Sequence, residues 1–140
     1  ADVNVDRSAL MSQNPNIVNS KWGGYGKYSE QYDRLKQAIA INETAALRSC
    51  SWGLFQIMGF HAEHLGYDSV QAFVRRMYAG ESEHLEAFVR FIKADKALHA
   101  ALKAMDWAKF ARGYNGPAYA RNKYDTKLAA AYTRHKESVA

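Results

Sequence analysis

The chain has one cysteine, two prolines and no long apolar run. With Cys50 alone, an internal disulfide is excluded, which fits synthesis in a reducing compartment. No stretch of about 18 apolar residues occurs, so no membrane span is expected. No basic, apolar, small-residue leader opens the chain, so no secretory signal is read there. Strand signals are scarce as well. Only Val3–Val5 and Ile17–Val18 group β-branched residues, enough for a short ribbon at most. Repeats, low-complexity tracts and linkers are missing, and with 48% hydrophobic and 24% charged residues the composition is that of a globular protein. A length of 140 residues fits a single domain over 1–140.

What the chain has is helical periodicity. Val5 to Gln13 reads as a short helix capped by Asp6, followed by a glycine-rich loop from Pro15. Ser29 is placed to cap a helix to Ile41 that turns Tyr32, Leu35, Ala38 and Ile39 inward. Asn42 caps the next helix. Residues 52–58 read as a buried helical turn, and Asp68 or Ser69 starts a helix with Val70, Phe73, Val74 and Met77 inward, stopped by Gly80. Leu85, Phe88, Val89 and Ile92 form the inner stripe of the following helix. Asp95 and Asp106 cap two more. GYNGP then breaks the chain, and a long basic helix from Ala118 points Tyr124, Leu128, Ala131 and Tyr132 inward. The expected class is mainly α.

The net charge of +5 is unevenly spread. Up to Asp106, Lys/Arg and Asp/Glu balance, whereas the last quarter carries Lys109, Arg112, Arg121, Lys123, Lys127, Arg134 and Lys136 against Asp125 and Glu137. Such a face steers polyanions, and nucleic acid, anionic lipid and anionic wall polymer all qualify. It is equally compatible with a plain solvated helix face.

Two segments place uncharged amides among aromatics and glycines: SCSWGLFQIMGF carries Gln56, and FARGYNGPAY carries Asn115. Burying an unpaired amide costs about 1–3 kcal/mol on mutational scales, so both segments read as built around a polar site. Two donors and a carbonyl on Gln56 suit sugar hydroxyls or N-acetyl groups, and Trp52 and Phe55 offer flat apolar surface beside it. A hydrogen-bonded core Gln explains the first segment without function, and turn chemistry explains the backbone of the second. Tyr114 either packs or orients a neighbouring carboxylate. His61 and His64 flank Glu63 in HAEH, which lacks the spacing of a zinc pair, so no metal site is expected.

GLFQIM followed downstream by GYNGP resembles the paired segments of lytic transglycosylases and goose-type lysozymes on the lysozyme-like fold. A closer likeness spans nearly the whole chain. NIVN, GGYGKYSEQYDRL, AALRSCSWGLFQIMGF, DWAKFARGYNGPAY and NKYDTKLAAAY together resemble the N-acetylmuramidase domain of bacteriophage and prophage endolysins. The resemblance implies a single helix-rich, lysozyme-like domain with at most a minimal β-ribbon. It implies cleavage of the peptidoglycan glycan strand after N-acetylmuramic acid, with neither metal nor organic cofactor. Ser51, Trp52 and Gln56 would line the substrate cleft from one side, and Tyr114 and Asn115 from the other. A monomer is expected, made in the host cytoplasm and acting on the periplasmic wall once the inner membrane is breached. The basic helix would hold it near that anionic wall.

Glycoside cleavage of this type needs a carboxylic acid kept protonated by an apolar setting. The resemblance places that glutamate upstream of anything matching Ala1, so the catalytic residue is not assigned within 1–140. Glu30 and Glu43 each fall in a first helical turn, where acidic side chains are favoured by the dipole alone. The competing reading is a non-catalytic peptidoglycan-binding module that keeps the cleft without the acid. A nucleic-acid binder would use the basic helix but leaves Gln56 and GYNGP without purpose, and no helix-turn-helix spacing supports it.

Overall fold

A computed structural model of the chain describes residues 6–21 and 23–139. The Val3–Val5 segment lies outside them. The described residues form two compact units, one ending at Glu81 and the other starting at Ser82.

The first unit holds α1 (Arg7–Gln13), α2 (Gln31–Ile41), α3 (Glu43–Ser49), the strands β1 (Ser51–Trp52) and β2 (Ile57–Met58), and α4 (Val70–Ala79). Its caps follow the sequence closely. Asp6 accepts from the Ala9 amide, Asn42 from Ala45 and Ser69 from Ala72, each satisfying an otherwise unpaired first-turn N–H. Ser29 is the exception: it lies within a 3-10 turn at Tyr28–Glu30, and the Glu30 carboxylate reaches back to the Lys27 amide at 2.9 Å. Ile17 and Val18 form no strand, because both amides bond to the Asn14 carbonyl and close a turn.

The core of this unit is built where α3 meets α4. Ala46, Leu47, Val70, Phe73, Val74 and Met77 are buried there, so all four expected inward residues of α4 are inward. Phe73 and Val70 are fully enclosed, each worth about 1.5–3 kcal/mol of apolar burial. By contrast α2 buries no residue, and Tyr32 and Ile39 are exposed although their spacing marks a core face.

Residues 52–58 do not form a buried helical turn. They make an antiparallel hairpin pairing Ser51 with Met58 and Trp52 with Ile57, and of these only Ile57 is buried. Gly53 and Gln56 have φ of 70° and 53°, left-handed values that a right-handed helix cannot contain. The two-strand ribbon is therefore here, in a segment whose β-branched content gave no sign of it.

The second unit is helical: α5 (Glu81–Ala94, which starts at the boundary), α6 (Lys96–Lys103), α7 (Trp107–Asn115) and α8 (Tyr124–Ser138). Ile92, Leu98, Ala101 and Phe110 form its core, with Phe88, Phe91, Leu102, Tyr114 and Leu128 packed against them. Leu85, expected inward, is exposed. Asp95 and Asp106 cap α6 and α7 as read. However, α7 runs on through Gly113, Tyr114 and Asn115 and breaks only at Gly116, whose φ is 86°. Helical Gly113 has a steric reason: a Cβ there would lie 2.7 Å from Leu98 Cδ2, so glycine lets α7 approach α6. The last helix starts at Tyr124 rather than Ala118, after a 3-10 turn at Tyr119–Asn122 and left-handed Lys123, and buries no residue. Ala131 and Tyr132 are exposed on it. Among the described residues no helix is long and apolar enough to cross a membrane.

Gly59 packs tightly against the backbone of α3, since a Cβ would sit 2.1 Å from the Leu47 carbonyl oxygen. Gly59→Ala should cost about 1–3 kcal/mol in urea unfolding, as for overpacking. Gly113→Ala should cost less, because its Cβ meets only the flexible end of Leu98 and the helix itself gains about 0.5–1 kcal/mol. Equal losses at the two sites would contradict this steric account.

Candidate functional site

The hairpin leaves α3 through extended Cys50, whose carbonyl accepts the Gly59 amide at 2.8 Å. Four residues, Gly53 to Gln56, cross between the strands, and left-handed Gln56 folds its side chain back over them. The Ser51 hydroxyl donates to Gln56 Oε1 at 2.8 Å, and Gln56 Nε2 donates to the Gly53 carbonyl at 3.0 Å. Both ends of the amide are therefore held while Gln56 and Ser51 remain exposed. The expectation of a buried amide is corrected: its partners are local and its surface faces solvent. One amide N–H, one lone pair on Oε1 and the lone pairs of the Ser51 oxygen stay open to a ligand.

Trp52 does not join this pair. Successive strand residues alternate in direction, and the Trp52 ring turns toward α3 and α4. Its indole Nε1–H donates to the Leu47 carbonyl at 2.9 Å, and the ring centre lies 6.4 Å from that of Tyr78.

In the second unit Tyr114 sits within an aromatic cluster. Its ring stacks on Phe110 at 5.6 Å and 8° and meets Phe88 and Phe91 edge-on at 5.6 and 5.5 Å. Burial pushes its phenol up to about 12. Asn115, the last residue of α7, is exposed. Ser51 and Gln56 thus act as one bonded pair in the first unit, and Tyr114 and Asn115 adjoin at the end of α7 in the second.

Among the described residues no charged side chain is buried. Glu30 and Glu43 are exposed at helix starts. Glu63 is held below its ordinary range, first by backbone hydrogen bonding and then by Arg48, whose Nη2 lies 2.9 Å from it. A carboxylate so stabilised is ionised and cannot donate a proton to a leaving group. Burial raises the Cys50 thiol, which suits a packed cysteine rather than a nucleophile. Burial, then the neighbouring His64, lowers His61. No cluster of three His, Cys, Asp or Glu among the described residues is arranged to hold a metal ion.

The N-acetylmuramidase family model matches residues 2–136. The chain belongs to the N-acetylmuramidase family. The muramidase resemblance read from the sequence is thereby borne out. The chain is also similar to the crystal structure of a Burkholderia AP3 phage endolysin, with 52% identity and a TM-score of 0.87. The match covers 93% of this chain and 50% of that one, so the chain spans half the length of the endolysin. The mainly helical, lysozyme-like class with a minimal ribbon stands accordingly. No curated protein matches the chain.

Sequence reasoning missed a groove of about 270 Å³ in the first unit, between α2, the start of α3, Trp52 and α4. Tyr32, Leu35 and Ile39 line it, and their spacing was the sign of it. A helical period reports which face is apolar, not whether a neighbour covers that face. A second depression of about 320 Å³ involves Met11, Val18 and Asn19 and touches none of the candidate site residues.

The raised Tyr114 phenol gives a pH test. Its folded value of about 12 lies above the ordinary phenol value of 10.0, so its contribution to stability is complete below pH 10 and is lost as pH rises toward 12. Stability measured by urea unfolding should therefore fall between pH 10 and 12, and Tyr114→Phe should flatten that part of the fall. An unchanged slope in the variant would remove the burial account.

Proposed function

We propose that this chain carries the substrate-binding part of a peptidoglycan-cleaving N-acetylmuramidase that cuts the glycan strand after N-acetylmuramic acid. The match of the N-acetylmuramidase family over residues 2–136 is the observation that carries the reading. The exposed Ser51–Gln56 pair supports it, since its open donor and acceptor atoms suit the hydroxyl and N-acetyl groups of an amino sugar. Tyr114 and Asn115 are assigned to substrate as well, the phenol as a neutral donor, since an ordinary phenol is already protonated near neutral pH and burial raises it further. Trp52 contributes through the opposite face of the hairpin.

The reaction needs a glutamic acid that protonates the leaving glycosidic oxygen. We infer that none of the described carboxylates fills this role, because none is buried and Glu63 is stabilised as an anion. The general acid then belongs to a segment preceding the matched motifs, as the family resemblance implies. In the cell, the protein would be made in the host cytoplasm and reach the periplasmic wall after membrane breach, acting as a monomer with no nucleic-acid partner and no membrane insertion. The basic α8, with Lys123 at its start and Lys127 and Arg134 along it, would favour the anionic wall.

The lack of a buried carboxyl among the described residues favours one second reading, a wall-binding module without cleavage. Incubation of a longer protein, in which the family's glutamate-bearing segment precedes these residues, with purified peptidoglycan separates the two by measuring new reducing ends and sedimented protein together. Cleavage should produce both, and Gln56→Ala should lower turnover about tenfold, the worth of a hydrogen bond made to the reacting sugar, while leaving the urea midpoint nearly unchanged. Sedimentation without reducing ends selects the binding module, and the absence of both contradicts any wall role.

A further inference from the structure

The face of the hairpin that carries Trp52 opens onto the groove of about 270 Å³, away from the Ser51–Gln56 pair. Its aliphatic surface comes from Leu35, Ile39, Leu47 and Val74. Its aromatic walls are Tyr32 and Tyr78, which are 62% and 72% exposed although both border an apolar trough. Two charges of opposite sign, Glu43 and Arg75, line the same groove, and neither has an ion-pair partner among the described residues. Lys36, by contrast, is engaged with Asp33 at 3.4 Å and lies over the Tyr32 ring.

This combination selects against a sugar ring. Ring hydroxyls facing Leu35, Ile39 and Val74 would lose water without gaining partners, and Gln71, the neutral amide of the groove, already donates to Thr44 at 2.9 Å. An alkyl-rich peptide bearing both a carboxylate and an ammonium group meets each feature: methyl and methylene groups on the aliphatic surface, carboxylate toward Arg75, ammonium toward Glu43. Peptidoglycan carries such a ligand beside its glycan, in the short stem peptides built from alanine, glutamate and a diamino acid.

We propose that the groove binds peptidoglycan stem peptides, making Arg75, Glu43 and Tyr78 specificity-determining residues on the hairpin face opposite Gln56. The assignment rests on the cell-wall reading above and adds to it a preference for peptide-substituted glycan. The groove would engage the substituent while the glycan itself is read elsewhere.

The test titrates the 140-residue protein with two soluble probes, an Ala–Glu–diaminopimelate–Ala stem tetrapeptide and a peptide-free N-acetylglucosamine tetramer, while NMR follows the Trp52 indole and the Tyr32 and Tyr78 rings. The stem peptide should shift these signals saturably. Arg75→Glu should weaken that binding at least tenfold, and Glu43→Gln should weaken it less. Both side chains are exposed, so the variants should keep the parent urea midpoint. Absence of a shift with the stem, equal or exclusive shifts with the tetramer, or unchanged affinity in Arg75→Glu overturns the proposal. Because no bond is cleaved, the outcome is separate from that of hydrolysis: stem binding by the 140-residue protein, with no new reducing ends from the longer acid-bearing protein, keeps the groove and removes the enzyme. Reducing ends without stem binding do the reverse.

Discussion

The first unit depends on one backbone carbonyl, that of Leu47 near the C-terminal end of α3. Carbonyls in a last helical turn have no partner within the helix and must find one elsewhere. Here the Trp52 indole supplies it at 2.9 Å, from the strand that follows only a few residues later. The opposite strand runs past the same oxygen at Gly59, where any side chain would collide with it. One atom therefore binds the hairpin to the helix from β1 and limits its approach from the end of β2. The Gly59 amide, bonded to the Cys50 carbonyl, closes the loop between the two contacts.

That arrangement gives the hairpin two functional faces. With Trp52 committed inward, the alternation of the strand sends Ser51 outward, where it meets Gln56. Gln56 reaches Ser51 because its backbone is left-handed, a conformation that costs roughly 1–3 kcal/mol for a residue other than glycine and is typical of functional sites. Its amide and the Ser51 hydroxyl hold one another in a fixed orientation, so little rotamer freedom is lost when a sugar binds. On the other face, Trp52 and Tyr78 frame a groove whose charge and aliphatic content differ in kind from the Ser51–Gln56 pair. A polymer with a glycan backbone and peptide branches presents both chemistries at once.

Much of this was legible in the sequence, and the misses have physical causes. Capping side chains act on their own helix, so Asp6, Asn42, Ser69, Asp95 and Asp106 could be read directly. The α4 core was legible because its apolar stripe is covered by α3 within the same unit. The α2 stripe misled because the same spacing describes a groove wall. The hairpin was unreadable by β propensity, since its strands are two residues long and its shape comes from positive φ at Gly53 and Gln56 together with the Leu47 contact. GYNGP looked like a turn throughout, but the approach of α7 to α6 keeps Gly113, Tyr114 and Asn115 helical and delays the break to Gly116. Of the candidate site, the residue identities were legible. The separation of Trp52 from Gln56 was not, because it depends on which strand face each side chain takes.

The account requires the hairpin to be fixed before any ligand arrives, and native-state hydrogen exchange reads this most directly. The Trp52 indole N–H and the Gly59 amide should exchange only with cooperative opening of the α3–α4 core, far more slowly than the backbone amide of exposed Gly24 in the glycine-rich loop. Addition of a glycan fragment should leave both rates unchanged apart from any gain in overall stability. If the indole and the Gly59 amide exchange as fast as the Gly24 loop, the Leu47 carbonyl does not anchor the hairpin, and the preorganised Ser51–Gln56 pair is not a property of this fold.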